Sequence, residues 1–505
     1  MKIFILFSLF LGFSFSQSQA LTLDKYKKKP KLVVVLVIDQ FRADYLTKYQ
    51  KEFVLPEAKG EVGGFNYLMR KGAYFPFAQY DVFQSMTCPG HAMISTGAHP
   101  YFTGISLNDW YEVGTRKKIY CAEDAEFGVS PRHLKTSTFS DELKNISEAS
   151  KVVSVALKDR AAVMLGGHRS DIALWMDEKY FNWTTSKYYQ KEIPTWVKDI
   201  NENLRKAGIL KKDDKAENKK RLITVYGAQI TREIAEAALK SENLGKNGRT
   251  DILAVSFSSH DMAGHIYGPN SAELKTMTLA EDKEISQLLS KLKKHLGSLD
   301  EVVIALTGDH GVAPSVEYAT NAKLESGYID YLAMYKKIYE RLNHKFGEPT
   351  KEWIAAAINF NFYLNPEALQ ERKVSSDLVE AEIKNVMQTF PGVFQVATRS
   401  EIAKGLLPVG ELGQQLVRQY IAGKNGDVIL IPRPFYISKG ESVVNHMTGY
   451  SYDSTVPLIL LGPEIKSGVY SSAAKVIDLA PTLSFIMGTL PPATATGRVL
   501  SEIFE

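Results

Sequence analysis

Residues 32–39 read Leu32-Val33-Val34-Val35-Leu36-Val37-Ile38-Asp39, seven aliphatic side chains in succession closed by a carboxylate. A strand with one face in water alternates apolar and polar residues, so a run that is apolar throughout predicts a strand covered on both faces, as in a parallel sheet. Ile252 to Phe257 and Val302 to Leu306 repeat the pattern. Each run leads into polar chemistry: the first into Asp39, the second to Asp261 four residues on, the third through Thr307-Gly308 to Asp309 and His310. Between the second and third, Leu274, Met277, Ile285, Leu288, Leu289, Leu292 and Leu296 recur at three- and four-residue steps, and Gly297 follows, which predicts an amphipathic helix with a glycine stop. Strand, helix and strand in that order predict an α/β fold whose central, mostly parallel sheet is flanked by helices. Acidic groups at strand C-termini mark its ligand side.

Farther along, Val456 to Leu461 reads as another buried strand and Asp478 to Met487 as a closing helix before the Pro491-Pro492 turn. Two stretches differ in character: about 180–250, lysine-rich around Lys211 to Arg221, and about 320–435, which mixes amphipathic helices with Pro-Gly turns. Both are expected to be insertions covering the strand ends of one catalytic domain spanning 21–505. At 505 residues, 45% hydrophobic and 23% charged, the chain is neither disordered, collagenous nor a disulfide scaffold. A net charge of +4 gives no reason to expect a nucleic-acid partner.

The N-terminus fixes an expectation of compartment. Lys2 precedes an apolar run from Ile3 to Phe15, and Ser18-Gln19-Ala20 offers a small-x-small cleavage site, the pattern of a signal peptide over 1–20. The run is shorter than the roughly 20 residues that span a bilayer, and no cysteine follows Ala20 to take a lipid. An exported protein, periplasmic or secreted and without a membrane anchor after cleavage, is expected, with an uncleaved anchor as the rival. The basic lead-in through Lys25, Lys27, Lys28, Lys29 and Lys31 reads as a solvated tail. Cys88 and Cys121 are the only cysteines, and a bridge and two buried thiols are equally compatible with their spacing.

Candidate metal ligands cluster at the strand ends. Asp261 and His265, at i and i+4, share one face of a helical turn. Asp309 and His310 are adjacent at a strand-end turn, His446 lies in a polar stretch from Asn445 to Gly449, and Asp39 adds a sixth ligand. Taken singly, an Asp after a strand is more often a helix cap and a lone His more often core or surface. Three strand ends each delivering a carboxylate, in a chain of ten histidines, favour a two-metal site instead. Oxygen and imidazole donors without thiolate suit zinc, with manganese or magnesium as competitors. His260 and His91 are alternative ligands, while His168, beside Arg169, reads as surface.

Gln84 to Gly97 contains Thr87-Cys88-Pro89-Gly90-His91, a hydroxyl-bearing turn entering a helix. A helix N-terminus favours an anionic substrate and an alkoxide. Thr87 as nucleophile, Cys88 as nucleophile, and Thr87 as an ordinary N-cap all fit these residues.

At this point the sequence resembles the alkaline phosphatase superfamily, and within it the secreted, phosphate-irrepressible alkaline phosphatases that use threonine. The resemblance is carried by Val37-Ile38-Asp39, Thr87-Cys88-Pro89-Gly90-His91, Gly104 through Asn108-Asp109-Trp110, Lys158-Asp159-Arg160, Ser256 through Asp261 and His265 to Pro269, Thr307-Gly308-Asp309-His310-Gly311, and His446 through Tyr452-Asp453 to Val456-Pro457. It implies an alkaline phosphatase-like core, one zinc ion on Asp261, His265 and His446, and a second on Asp39, Asp309 and His310 together with the nucleophile Thr87. It also implies phosphoryl binding by Asn108, Lys158 and Arg160. The expected activity is hydrolysis of a broad range of small phosphomonoesters through a phosphothreonine intermediate.

Charge supports that expectation: three carboxylates and a threonine alkoxide balance two zinc ions, and Lys158 with Arg160 then matches a monoester dianion. If residues 158–160 are extended, both cations point to one side of the chain, and if they are helical, the clamp diverges. The alternatives are a phosphodiesterase or nucleotide pyrophosphatase of the same superfamily, and a non-catalytic exported binder of metal or phosphate. A sulfatase would need Cys-x-Pro-x-Arg, which Cys88-Pro89-Gly90-His91-Ala92 lacks, and phosphoethanolamine transferases carry transmembrane helices not evident in this sequence.

Overall fold

The computed structural model describes residues 26, 28–55, 62–211, 214–440 and 442–504, so the leader expected at 1–20 lies outside the described residues. The main sheet contains nine strands: β1 (Leu32–Ile38), β2 (Ala73–Gln79), β3 (Val152–Ala156), β4 (Ile172–Met176), β5 (Trp183–Thr184), β6 (Asp251–Phe257), β7 (Val302–Gly308), β8 (Thr455–Leu461) and β9 (Gly468–Val469). Their spatial order is β9-β2-β8-β7-β1-β6-β3-β4-β5. The five strands from β7 to β4 run parallel, as the unbroken apolar runs predict, whereas β8 is antiparallel to β7 and to β2.

The seven residues of β1 are fully buried, and their alternation shows why none is polar. Leu32, Val34, Leu36 and Ile38 pack into one apolar cluster with Ile234 and Ala238 of one helix and Ile285, Leu288 and Leu292 of another. Val33, Val35 and Val37 pack into the opposite cluster with Leu479, Leu483 and Ile486. Each such side chain contributes about 1.5–3 kcal/mol by leaving water, so a polar residue on either face would be destabilising.

Register aligns the strand ends. Ile38 of β1 pairs with Phe257 of β6 and with Gly308 of β7, so the residues following these strands emerge at one level. β3 continues this edge, with Ala156 opposite Ser256, and Lys158 follows two residues later. β6 is followed by the helix Ser259–Tyr267, which carries Asp261 and His265, and then by a long helix from Ala272 to Leu296 that begins with the Ser271 hydroxyl accepting from the Leu274 N–H and stops at Gly297 with φ +87°.

A separate four-stranded sheet lies between residues 354 and 432, comprising Ile354–Ile358, Asn361–Leu364, Val428–Pro432 and Val393–Thr398 in spatial order. It has its own core, with Met334, Ile338, Phe362, Ile383 and Leu430. One expectation is corrected at the lead-in: Tyr26 is buried against Phe485 and Phe504 and donates to the Pro463 carbonyl, because an aromatic ring among lysines has more to gain from an apolar slot than from solvent. Cys88 and Cys121 are joined by a disulfide across a sequence separation of 33, with Cα atoms 6.7 Å apart.

Candidate active site

Asp39, Asp261, Asp309, His310 and His446 are buried, and their ligating atoms converge above the C-terminal ends of the parallel strands. Asp261 Oδ1 lies 3.2 Å from His265 Nε2 and 3.4 Å from His446 Nε2, and the two imidazole nitrogens are 3.2 Å apart. His310 Nε2 is 3.5 Å from both Asp39 Oδ1 and Asp309 Oδ2. Its ring also stacks on that of His446 with centroids 3.7 Å apart, so it lies within ligand range of Asp261 as well.

Main-chain carbonyls select the tautomer of all three histidines. The Nδ1 atoms of His265, His310 and His446 lie 3.2, 2.9 and 2.9 Å from the carbonyl oxygens of Val444, Gly311 and Ser85. A carbonyl only accepts, so Nδ1 carries the proton and Nε2 keeps its lone pair for the centre. Burial and the neighbouring His446 hold His310 well below the usual imidazole range, which keeps it neutral. At His265, burial opposes protonation but the Asp261 carboxylate outweighs it and raises the pKa.

The carboxylates divide. Burial and then Asp309 push Asp39 up to about 6, with Lys158 pulling in the opposite direction. Burial would raise Asp261 too, yet Lys158 and His265 hold it well below the ordinary carboxylate range. Lys158 Nζ donates to Asp39 Oδ2 at 2.6 Å and to Asp261 Oδ2 at 2.5 Å. Even so, Asp39 Oδ1, Asp309 Oδ2 and His310 Nε2 are buried without a hydrogen-bond partner among the described residues. Orphaned lone pairs of this kind are costly unless a cation accepts them, so the donor set fits hard or borderline metal ions.

Thr87 begins the helix Thr87–Thr96, and the N-cap is Met86, so the capping role considered for Thr87 falls to its neighbour. Cys88 is oxidised and cannot serve as a thiolate nucleophile. Gly90 allows this helix to approach the strand end, since a Cβ there would strike the Asp309 carbonyl oxygen. His91, considered as an alternative ligand, has both ring nitrogens occupied: Nδ1 donates to the Thr87 carbonyl at 2.8 Å, while lying 3.3 Å from Asp309 Oδ2, and Nε2 accepts from Ser256 Oγ at 2.8 Å. His260, the other alternative, is paired with Glu281 at 2.7 Å. His168 is half-buried rather than on the surface, with Nε2 3.2 Å from the Thr136 carbonyl.

Asn108 joins the nucleophile helix to the disulfide. Its Oδ1 accepts from the Cys88 N–H at 2.8 Å and its carbonyl accepts from the Cys121 N–H at 2.9 Å, and among the described residues its amide NH2 has no hydrogen-bond acceptor. Lys158 is extended, at φ −85° and ψ 128°, and caps the helix Asp159–Gly166. The chain therefore turns helical between the two cations, yet both remain within electrostatic reach of Asp39. The Arg160 guanidinium meets only the Tyr120 hydroxyl, at 3.4 Å, and its Nε is buried without a partner; among the described residues it has no carboxylate partner.

Gln40 escaped the sequence reading. It is fully buried at φ +65°, its N–H donates to Asp309 Oδ1 at 2.9 Å, and its Nε2 donates to Asp261 Oδ1 at 2.7 Å, so one residue bridges both ligand groups. An amide directly after a strand-end Asp was the available signal. A cavity of 640 Å³ is lined by Lys31, Gly245 and Thr250 at the opposite ends of the strands and has no part in this centre.

A fold with metal-ligand chemistry at the ends of its parallel strands defines a class, and comparison with known proteins specifies it. The family model for type I phosphodiesterase / nucleotide pyrophosphatase matches residues 33–442, and the chain belongs to that family, within the alkaline phosphatase superfamily. Alkaline phosphatase PafA of Elizabethkingia meningoseptica is 31% identical, over 94% of this chain and 94% of its own. A calcium-transporting ATPase of Myroides odoratus is also 31% identical, over 95% of each chain. The crystal structure of wild-type PafA is similar at a TM-score of 0.87 and 29% identity, covering 94% of this chain and 99% of that one.

Proposed function

We propose that this protein is an alkaline phosphatase that hydrolyses phosphomonoesters at Thr87. The carrying observation is the convergence of Asp39, Asp261, Asp309, His310 and His446, with His265 against Asp261, beside the Thr87 helix, three of their atoms buried without a hydrogen-bond partner among the described residues, and Lys158 and Arg160 close by. Similarity to PafA over nearly the whole chain supports the same activity.

Asp261, His265 and His446 would hold one zinc ion, and Asp39, Asp309 and His310, joined by Thr87, the other. The ions would supply Lewis-acid charge that favours the ionised hydroxyl and offsets charge on the leaving oxygen. Thr87 Oγ1 then attacks phosphorus in line, the new O–P bond forming as the ester O–P bond breaks and the alcohol departs. Water attacks the phosphothreonine from the vacated side, releases inorganic phosphate and restores the hydroxyl. Lys158, Arg160 and the Asn108 amide are suited to the equatorial oxygens in both steps.

The domain and compartment expectations belong to the same proposal: one catalytic domain over 21–505, with insertions at about 180–250 and 320–435, exported through the leader at 1–20. Among the described residues no helix is long and apolar enough to cross a membrane. A diesterase is the second reading, favoured by the family description. The ATPase name of the other relative is compatible with a phosphatase centre, because the terminal phosphate of ATP presents the same dianionic end.

Hydrolysis of a chromogenic aryl phosphate by wild type and by Thr87→Ala, with and without chelator, tests the proposal. Activity confined to metal-loaded wild type is expected. Undiminished turnover in Thr87→Ala would remove the covalent mechanism.

A further inference from the structure

Beside the metal-ligand cluster is a cavity of 370 Å³ whose lining includes Tyr331, Tyr335, Phe360, Phe362, Asn445 and Met447. Among the described residues no charged side chain lines it, and Asn359, Ser438 and Asn445 are its polar members. Asn445 and Met447 flank His446, so its wall and the metal-ligand loop are the same stretch of chain. The floor is the two-residue turn between Ile358 and Asn361, where Asn359 and Phe360 have φ +51° and +66°. Turns of this kind favour glycine at the second position. Phe360 instead carries a bulky side chain, which is buried at the cavity and stacked with Tyr331 at 6.2 Å. The turn is tied to the nucleophile loop as well: Gln84 Nε2 donates to the Asn359 carbonyl at 2.7 Å, three residues before Thr87.

We propose that this cavity is a leaving-group subsite that takes a flat, uncharged aromatic ring on the alcohol side of the phosphomonoester. The inference rests on the phosphomonoesterase assignment and sharpens it, since the subsite discriminates among alcohols that the anion clamp alone treats alike. Tyr331, Tyr335, Phe360 and Phe362 favour stacking of a planar ring, while Asn359, Ser438 and Asn445 can hydrogen-bond its polar edge. The strained turn places the Phe360 ring at the floor of the cavity.

The test is calorimetric binding of phenylphosphonate and methylphosphonate, monoester analogues that cannot lose their carbon group, to the metal-loaded protein. Wild type is expected to bind the phenyl compound about tenfold more tightly. The ratio should fall towards one in Phe360→Gly, which relaxes the backbone, and in Tyr331→Leu. Because the readout is a ratio within each variant, partial loss of folded protein cancels. Comparing kcat/KM for adenosine 5′-phosphate and ribose 5′-phosphate separates the sources: a preference there as well extends the ring to nucleobases, and a preference confined to the phenyl compound assigns simple aryl alcohols. Equal phosphonate affinities in wild type, or a ratio unaltered in both variants, would overturn the subsite and leave the phosphatase assignment standing. Failure of both phosphonates to bind would overturn the subsite and the phosphatase assignment together.

Discussion

The Nδ1 atom of His446 lies 2.9 Å from the carbonyl oxygen of Ser85, 361 residues away in sequence. This bond fixes the imidazole with Nε2 toward Asp261 and ties the ligand loop to the segment that enters the Thr87 helix. Asp453 secures the same loop, accepting from the Thr448 hydroxyl at 2.6 Å and from the Thr448 N–H at 3.1 Å. Replacing His446 with Ala should therefore reduce bound metal from about two ions per chain to about one and lower kcat/KM by at least about 100-fold. Elemental analysis of the purified variant checks the first effect, and retention of both ions would exclude His446 as a ligand.

Lys158 and Arg160 distinguish a monoester from a diester. The Lys158→Ala/Arg160→Ala double variant should lose about 100-fold or more on an aryl phosphate, and less than about tenfold on the corresponding methyl aryl diester, because the dianion depends on both cations. Parallel kinetics on the two substrates give the answer. Equal losses would favour the diesterase reading.

Gln40 should act on the metal ions rather than on the fold. Gln40→Gly removes the amide that reaches Asp261 while relieving the left-handed backbone, and it keeps the N–H that serves Asp309. Metal affinity measured by competition with a chelating dye should weaken about tenfold, with the metal-free melting temperature unchanged or raised. Unaltered metal affinity would show the amide to be dispensable.

The Cys88–Cys121 bridge and the two bonds to Asn108 make one staple beside Thr87. The double Cys→Ser variant should lose about 2–4 kcal/mol of stability in denaturant titrations, through release of the closed loop. Its KM for phosphomonoesters should also rise, because Asn108 is less firmly held. A stability loss with no change in KM would separate the bridge from the site.

The parts legible in sequence were those encoded locally. Apolar runs of five to seven residues announced β1, β6 and β7, and the acids following them needed only strand register to meet. The i, i+4 pair Asp261 and His265 carried its geometry in its spacing. Long-range partners left no such trace. Whether Cys88 met Cys121 depended on the path of the intervening chain, and the fate of His91 depended on Ser256 being opposite it. The turn at Asn359-Phe360 lacked the glycine that signals a hairpin, so the second sheet read only as an insertion. Gln40 went unnoticed because an amide gains meaning only when both acids it bridges are in view.

Anomalous diffraction at the zinc edge, from crystals of the metal-loaded protein with phosphate, tests the central claim most directly. Two peaks a few ångströms apart are expected, one among Asp261, His265 and His446 and the other among Asp39, Asp309 and His310, with Thr87 Oγ1 beside the second. A single peak, or peaks away from these six side chains, would contradict the two-metal centre.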